Sequence, residues 1–211
     1  MNSILKLYFI AGTQDIAKNS TLPQTLQEAL KFGITCFQFR EKGLHSLQNK
    51  DEVKEMAKVC LALCQSAKVP FIINDDVELA LEIGADGVHI GQSDRNIYET
   101  IQMVNGRLFI GLSVNSFEQF MEAETIKDLD YIGVGPVYST TSKADAQEAV
   151  GLELLEKVVI QQSKLPIVAI GGISERNVHL VRSTGVTGIC VISAITKSKN
   201  IETTIENLIK K

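Results

Sequence analysis

Short apolar runs punctuate the whole chain, each followed by a polar turn and most of them by a stretch in which apolar residues recur at helical spacing. The runs read LYFIAG (7–12), ITCFQF (34–39), PFIIN (70–74), GVHIG (87–91), LFIGLS (108–113), YIGVG (131–135), PIVAIGG (166–172) and GICVIS (188–193). Rich in Ile, Val and Phe, and too short for helices, they predict strands. DEVKEMAKVCLALCQSAK (51–68), DVELALEIG (76–84), SFEQFMEAETIK (116–127), LELLEKVVIQQ (152–162) and ERNVHLVRSTG (175–185) predict helices between them. Gly33, Gly84 and Gly185 stand where a helix gives way to the next strand, the position at which a left-handed C-cap costs least.

Strands alternating with helices, with near-continuous apolar runs, imply a parallel sheet covered on its outer face. Eight such units predict a single (β/α)₈ TIM barrel, one domain over residues 1–211. A doubly wound open sheet is the alternative, but no glycine-rich dinucleotide turn follows the first strand. The 211 residues, 45% hydrophobic and 22% charged, suffice for a large core. A formal charge of −4 argues against nucleic acid or an anionic membrane as partner, so any basic cluster serves a local purpose. The opening MNSILKLYFIAG is too short in apolar residues for a signal-peptide core, and nothing approaches the ~20 apolar residues of a membrane span. Cys36, Cys60, Cys64 and Cys190 fit no disulfide framework and read as small buried hydrophobes. A cytoplasmic location is expected; the oligomeric state, a homo-oligomer included, stays open.

In such a barrel, chemistry sits at the carboxyl ends of the strands. Strand 2 ends in Gln38, Phe39, Arg40, Glu41 and Lys42. Positions two apart share a face, so Gln38, Arg40 and Lys42 are expected to point the same way. Two cations together suit a multiply charged anion; a solvated strand end balanced by Glu41 is the bland alternative. Strand 3 delivers Asn74, Asp75 and Asp76, of which one suffices to cap the next helix, and Asp75 with Glu78 resembles a capping box. Asp94, after strand 4, could cap likewise. Carboxylates from neighbouring strand ends are hard oxygen ligands, which Mg²⁺ takes alongside phosphate oxygens and water. His89 reads as a packed wall residue, and Ser113 as a hydroxyl in the mouth or part of a turn.

The longest irregular connection, GVGPVYSTTSKADAQEAVG (133–151), sets Thr140, Thr141 and Ser142 before Lys143. Gly171 and Gly172 after strand 7, with Ser193 after strand 8, suit a phosphate held by backbone N–H groups. Two anion sites in one mouth suggest an enzyme joining a diphosphate-activated fragment to a phosphorylated partner.

QFREK, PFIINDD, GADGVHIGQSD, GLS, GVGPVYSTTSK, VAIGGI and VISAI, in this order, resemble the thiamine phosphate synthase family over essentially the whole chain. The resemblance implies condensation of 4-amino-2-methyl-5-(diphosphooxymethyl)pyrimidine with 2-carboxy-4-methylthiazole ethyl phosphate, releasing pyrophosphate and CO₂. It implies small-molecule substrates and Mg²⁺ as cofactor. The diphosphate leaves first, which demands fixed positive charge rather than a protein nucleophile. Carried over by position, Arg40, Lys42 and Lys143 grip the diphosphate, Asp75 and Asp94 bind Mg²⁺, and Gln38, Asn74 and Ser113 orient the pyrimidine or bind its diphosphate. Phe39 and Glu41, within QFREK, join the substrate-binding set. Thr140, Thr141 and Ser142 form the thiazole-side loop, and Gly172, Ile192 and Ser193 receive the thiazole phosphate. The catalytic group is Arg40, Lys42, Ser113 and Lys143.

Two departures from the family pattern stand out. Ser142 replaces a usual threonine with its hydroxyl kept, and AGTQD (11–15), where many relatives carry VTD, is assigned no role. A thiazole tautomerase of the same superfamily should use a histidine near strand 6, and YIGVGPV has none. A non-catalytic phosphate-binding barrel is the other alternative, yet no charged group of the site is missing.

Overall fold

Strands form at each of the predicted apolar runs in a computed structural model that describes residues 1–142 and 148–210. They are β1 (Leu7–Ala11), β2 (Cys36–Phe39), β3 (Phe71–Asn74), β4 (Gly87–Ile90), β5 (Phe109–Val114), β6 (Tyr131–Val134), β7 (Ile167–Ile170) and β8 (Gly188–Val191). All neighbours are parallel, and β1 also pairs with β8 through Leu7–Ile189, Tyr8–Cys190 and Phe9–Val191. That last pairing closes the sheet and excludes the doubly wound alternative. The surrounding helices are α1 (Leu22–Phe32), α2 (Lys50–Ala67), α3 (Val77–Ile83), α4 (Ile97–Val104), α5 (Phe117–Ala123), α6 (Gly151–Val159), α7 (Val178–Ser183), the short α8 (Ser193–Thr196) and α9 (Ile201–Lys210). Gly33 and Gly84 form left-handed C-caps (φ 106° and 70°); Gly185 is also left-handed (φ 90°), one residue beyond the cap at Thr184. Among the described residues no helix is long and apolar enough to cross a membrane.

The period of two along each strand sorts the core into two regions. Outward side chains such as Leu7, Phe9, Phe37, Phe39 and Phe71 pack under the helices. The Phe9, Phe37 and Phe71 rings follow one another with centroids 5.4 and 6.0 Å apart. Inward side chains form a separate cluster that includes Tyr8, Ile10, Cys36, Ile72, Tyr131, Val168 and Cys190. Barrel interiors are usually filled by branched aliphatic residues. Here two tyrosines, Gln38 and His89 share that space, and glycines make room for them. A Cβ on Gly111 would lie 2.2 Å from Tyr131 Cζ and 2.5 Å from His89 Nδ1.

Gly111→Ala is therefore expected to lower stability by about 1–3 kcal/mol through overpacking. Chemical denaturation measures this, and an unchanged midpoint would mean that Tyr131 and His89 part freely.

Candidate active site

At the carboxyl end of the barrel lies a cavity of about 290 Å³, lined from nearly every strand end. Arg40 and Lys42 reach it from the loop after β2, Asn74 and Asp75 from β3, Asp94 from the loop after β4, and Ser113 from β5. Thr140 and Ser142 come from the loop after β6, Gly172 from β7, and Ile192 and Ser193 from the end of β8. Most, but not all, of the residues expected at the mouth line this cavity. Thr141 lines an adjoining cavity of about 250 Å³, which shares Arg40, Lys42, Ser142, Ile192 and Ser193. Lys143, expected to grip the diphosphate, lies outside the described residues.

Three expectations need correction. Phe39 follows Gln38 in the strand, so its side chain faces outward, stacked on Phe71 at 6.5 Å between centroids and away from the cavity. Glu41 lines neither cavity. Its carboxylate accepts from Thr13 N (2.9 Å), Thr13 Oγ1 and Leu47 N (2.9 Å), a brace within the loops. Gln38, Arg40 and Lys42 do not form one strand face, because β2 ends at Phe39. Gln38 lies buried and off the cavity lining, while the two cations extend beyond the strand.

AGTQD, given no role from sequence, supports the cation loop. Gln14 Nε2 donates to the Arg40 carbonyl (2.8 Å) and to Asp15 Oδ2 (3.0 Å), while Thr13 holds Glu41. The glycines after β7 also do more than expose backbone. Gly171 and Gly172 are left-handed (φ 103° and 63°), and a Cβ on Gly172 would sit 2.7 Å from Tyr138 Cβ. That closeness lets Tyr138 N donate to the Gly171 carbonyl (3.0 Å), joining the loops after β6 and β7.

Helix caps release the two aspartates for the cavity. Asp76, not Asp75, caps α3 by accepting from Leu79 N (2.9 Å), and Asn96 caps α4 through Tyr98 N (2.9 Å). Asp75 turns in with φ 63°, a sparsely populated conformation for a non-glycine residue. Lys42 Nζ then lies between the acids, 2.6 Å from Asp75 Oδ2 and 2.9 Å from Asp94 Oδ1. The other Asp94 oxygen accepts from Gly91 N (3.0 Å).

These contacts push the acids apart in acidity. Burial, with Asp94 nearby, raises Asp75 to about 6 despite Lys42. Burial also opposes the charged form of Asp94, but hydrogen bonds from Asp75 and Lys42 outweigh it and hold Asp94 below the usual carboxylate range. Lys42 loses solvent too, and the two carboxylates more than compensate, raising its pKa. Among the described residues no group of three or more His, Cys, Asp and Glu side chains converges. The donor set is thus two carboxylates, which fits an ion that completes its shell with phosphate oxygens and water rather than a closed protein cage.

Beneath these charges a chain of hydrogen bonds crosses the barrel. Gln38 Nε2 donates to Tyr8 Oη (2.8 Å), which lies 3.0 Å from Tyr131 Oη. Tyr131 Oη lies 3.1 Å from His89 Nδ1, and His89 Nε2 lies 3.0 Å from Ser113 Oγ. Sequence reasoning missed Tyr8 and Tyr131 and left His89 as packing. The available signal was a hydroxyl or imidazole at an inward strand position, where a partner is obligatory.

A family model described as thiamine monophosphate synthase matches residues 7–195. The chain belongs to the thiamine monophosphate synthase family. It is 54% identical over 209 residues to a thiamine-phosphate synthase of Listeria welshimeri, covering 99% of this chain and 100% of that one. It is 48% identical over 206 residues to a thiamine-phosphate synthase of Staphylococcus saprophyticus, covering 98% of this chain and 96% of the relative. A solved thiamine phosphate pyrophosphorylase from Pyrococcus furiosus superposes with a TM-score of 0.86 at 35% identity, covering 99% and 96% of the two chains. A 3-hexulose-6-phosphate synthase from Salmonella typhimurium, at 14% identity and a TM-score of 0.69, shares the barrel fold. The thiamine monophosphate synthase match runs from β1 through α8, so all the cavity residues from Arg40 to Ser193 fall inside it.

The raised pKa of Asp75 has a sign that can be tested in the ligand-free chain. A folded-state value near 6 against an unfolded value near 3.8 means that the folded form holds the proton more tightly. The contribution of this group to stability is therefore greatest below about pH 4 and is lost as pH rises to about 6. Carboxyl chemical shifts followed by NMR are expected to give a midpoint near 6 for Asp75. A midpoint near 4 would contradict the assigned burial.

Proposed function

We propose that this chain is a transferase that makes thiamine phosphate from an aminopyrimidine diphosphate and a carboxylated thiazole phosphate, with Mg²⁺ as cofactor. The observation that carries this reading is the Lys42 ammonium held between Asp75 and Asp94 in a cavity that Arg40 also lines. Such a cluster is poorly suited to a neutral ligand, because it holds partly buried charge of both signs. It suits a diphosphate arriving with a divalent cation.

In this reading the bond between the pyrimidine methylene carbon and the diphosphate oxygen breaks first, and its electron pair leaves with the diphosphate. The thiazole nitrogen then bonds to the methylene carbon, the bond from C2 to its carboxylate breaks, CO₂ departs, and C2 takes a proton. Asp75 and Asp94 would hold Mg²⁺, which supplies Lewis-acid charge to the leaving diphosphate. Arg40 offers a planar fork to phosphate oxygens and Lys42 a point charge, while Lys143 adds a third cation. Their task is to meet negative charge as it develops on the leaving group. Asn74 and Ser113 orient the pyrimidine, and Gln38, buried beneath the cavity, acts on it through the hydrogen bonds that run from Tyr8 to Ser113. Thr140, Thr141 and Ser142 border the thiazole, with Gly172, Ile192 and Ser193 around its phosphate. The buried thiols of Cys36, Cys60 and Cys64 accord with a cytoplasmic location.

Incubation with both substrates and Mg²⁺ is expected to yield thiamine phosphate, read by chromatography. A thiazole tautomerase or a silent phosphate binder would yield none. Lys42→Ala and Lys143→Ala are each expected to lower turnover by roughly 10²–10³-fold, the usual consequence of removing a group aimed at transition-state charge. Wild-type turnover in either variant would remove that residue from the mechanism. Asp94→Asn is expected to weaken the dependence of rate on Mg²⁺; an unaltered metal response would limit Asp94 to its contacts with Lys42 and Gly91.

A further inference from the structure

The interior hydrogen-bond chain has a direction. An amide nitrogen only donates, so at 2.8 Å Gln38 Nε2 makes Tyr8 Oη an acceptor. Tyr8 then spends its single proton on Tyr131 Oη, and Tyr131 spends its own on His89 Nδ1. With Nδ1 accepting, the ring proton sits on Nε2 and is donated to Ser113 Oγ. Ser113 is left with one proton of its own, and it lines the cavity.

The opposite direction is costlier. Were His89 to donate from Nδ1, Tyr131 would donate to Tyr8, whose oxygen already receives the Gln38 amide. The Tyr8 proton would be left to the sulfur of Cys36, a weak acceptor, in a fully buried site. Turning the Gln38 amide over would relieve that conflict but would put two N–H donors where Oε1 now stands. That position has no polar partner among the described residues, and buried donors without acceptors are rarer than buried acceptors without donors.

We infer that the buried pair Tyr8 and Tyr131 are positioning residues, which hold His89 as the Nε2–H tautomer and thereby turn the Ser113 hydroxyl proton into the cavity. Ser113 then offers a donor to a ring nitrogen of a bound heteroaromatic. The ligand half of this inference rests on the aminopyrimidine assigned above; the tautomer half does not. The polarity originates in Gln38, so a residue from the second strand decides what a serine on the fifth presents.

The test is nitrogen-15 NMR of the ligand-free chain with labelled histidine, in which only His45, His89 and His179 contribute. His89 is expected to show a protonated Nε2 and a bare Nδ1. In Tyr131→Phe the ring loses its donor at Nδ1, and a mixture of tautomers is expected. The same variant is expected to lose roughly tenfold in kcat/KM for the pyrimidine diphosphate, the worth of one hydrogen bond, with the KM of the thiazole phosphate unchanged. An Nδ1–H or doubly protonated ring in the unaltered chain overturns the inference, as does a Tyr131→Phe variant that keeps the pure Nε2–H form. Should Tyr131→Phe fail to fold, Ser113→Ala serves instead: Tyr131 still donates to Nδ1, so the Nε2–H form is expected to persist, and its inversion counts against the inference. Absence of thiamine phosphate formation by the unaltered chain would sink the functional reading while leaving the tautomer result in force.

Discussion

Closing eight parallel strands into a cylinder sends every second side chain of each strand into one shared interior. That constraint governs this molecule. The outer faces are free to be wholly apolar, and the helices cover them. The inner faces must fill a fixed volume, and every polar atom placed there needs a partner from another strand. Gly111 yields the space that Tyr131 and His89 occupy, so bulk removed from one strand becomes a hydrogen bond between two others. The cavity sits directly on this column, and Ser113 and His89 belong to both.

Above the column, electrostatics take over from packing. Two carboxylates and an ammonium share a partly buried site, and one of the acids adopts a backbone conformation that few aspartates take. Each of these features is unfavourable in isolation. The ion pairs offset part of the desolvation, while burial and the neighbouring Asp94 still push the pKa of Asp75 up. A ligand that brings its own phosphates and a divalent cation would relieve this strain, in keeping with the proposed function.

Much of this was legible in the sequence, for a physical reason. Residues at the end of an apolar run fall at the mouth of a barrel whatever the details of packing, so Arg40, Lys42, Asp75, Asp94, Ser113 and Ser193 could be placed together from periodicity and topology. What lay outside reach depended on contacts between distant positions. Tyr8 and Tyr131 are 123 residues apart, and within their runs each is indistinguishable from a packed aromatic. Glu41 follows strand 2 like its cationic neighbours, yet Thr13 and Leu47 draw it away from the mouth. Phe39 was a different kind of miss, since the period of two that aligned Gln38 with Arg40 already pointed Phe39 outward. The capping of α3 turned on a shift of one residue, from Asp75 to Asp76, finer than a pattern of residue types resolves.

The contact between the end of β1 and the loop after β2 has a bearing on how such barrels can be recombined. Thr13 and Gln14 grip Glu41 and the Arg40 carbonyl, so the first two strand ends form one mechanical part although twenty-four residues of turn, helix and strand separate Asp15 from Arg40. A crossover placed within α1 would draw these halves from different parents and leave the arginine carbonyl and the glutamate without their tethers. A chimaera cut after Leu47 would inherit both together, which makes that junction the natural seam for exchanging substrate preference between relatives.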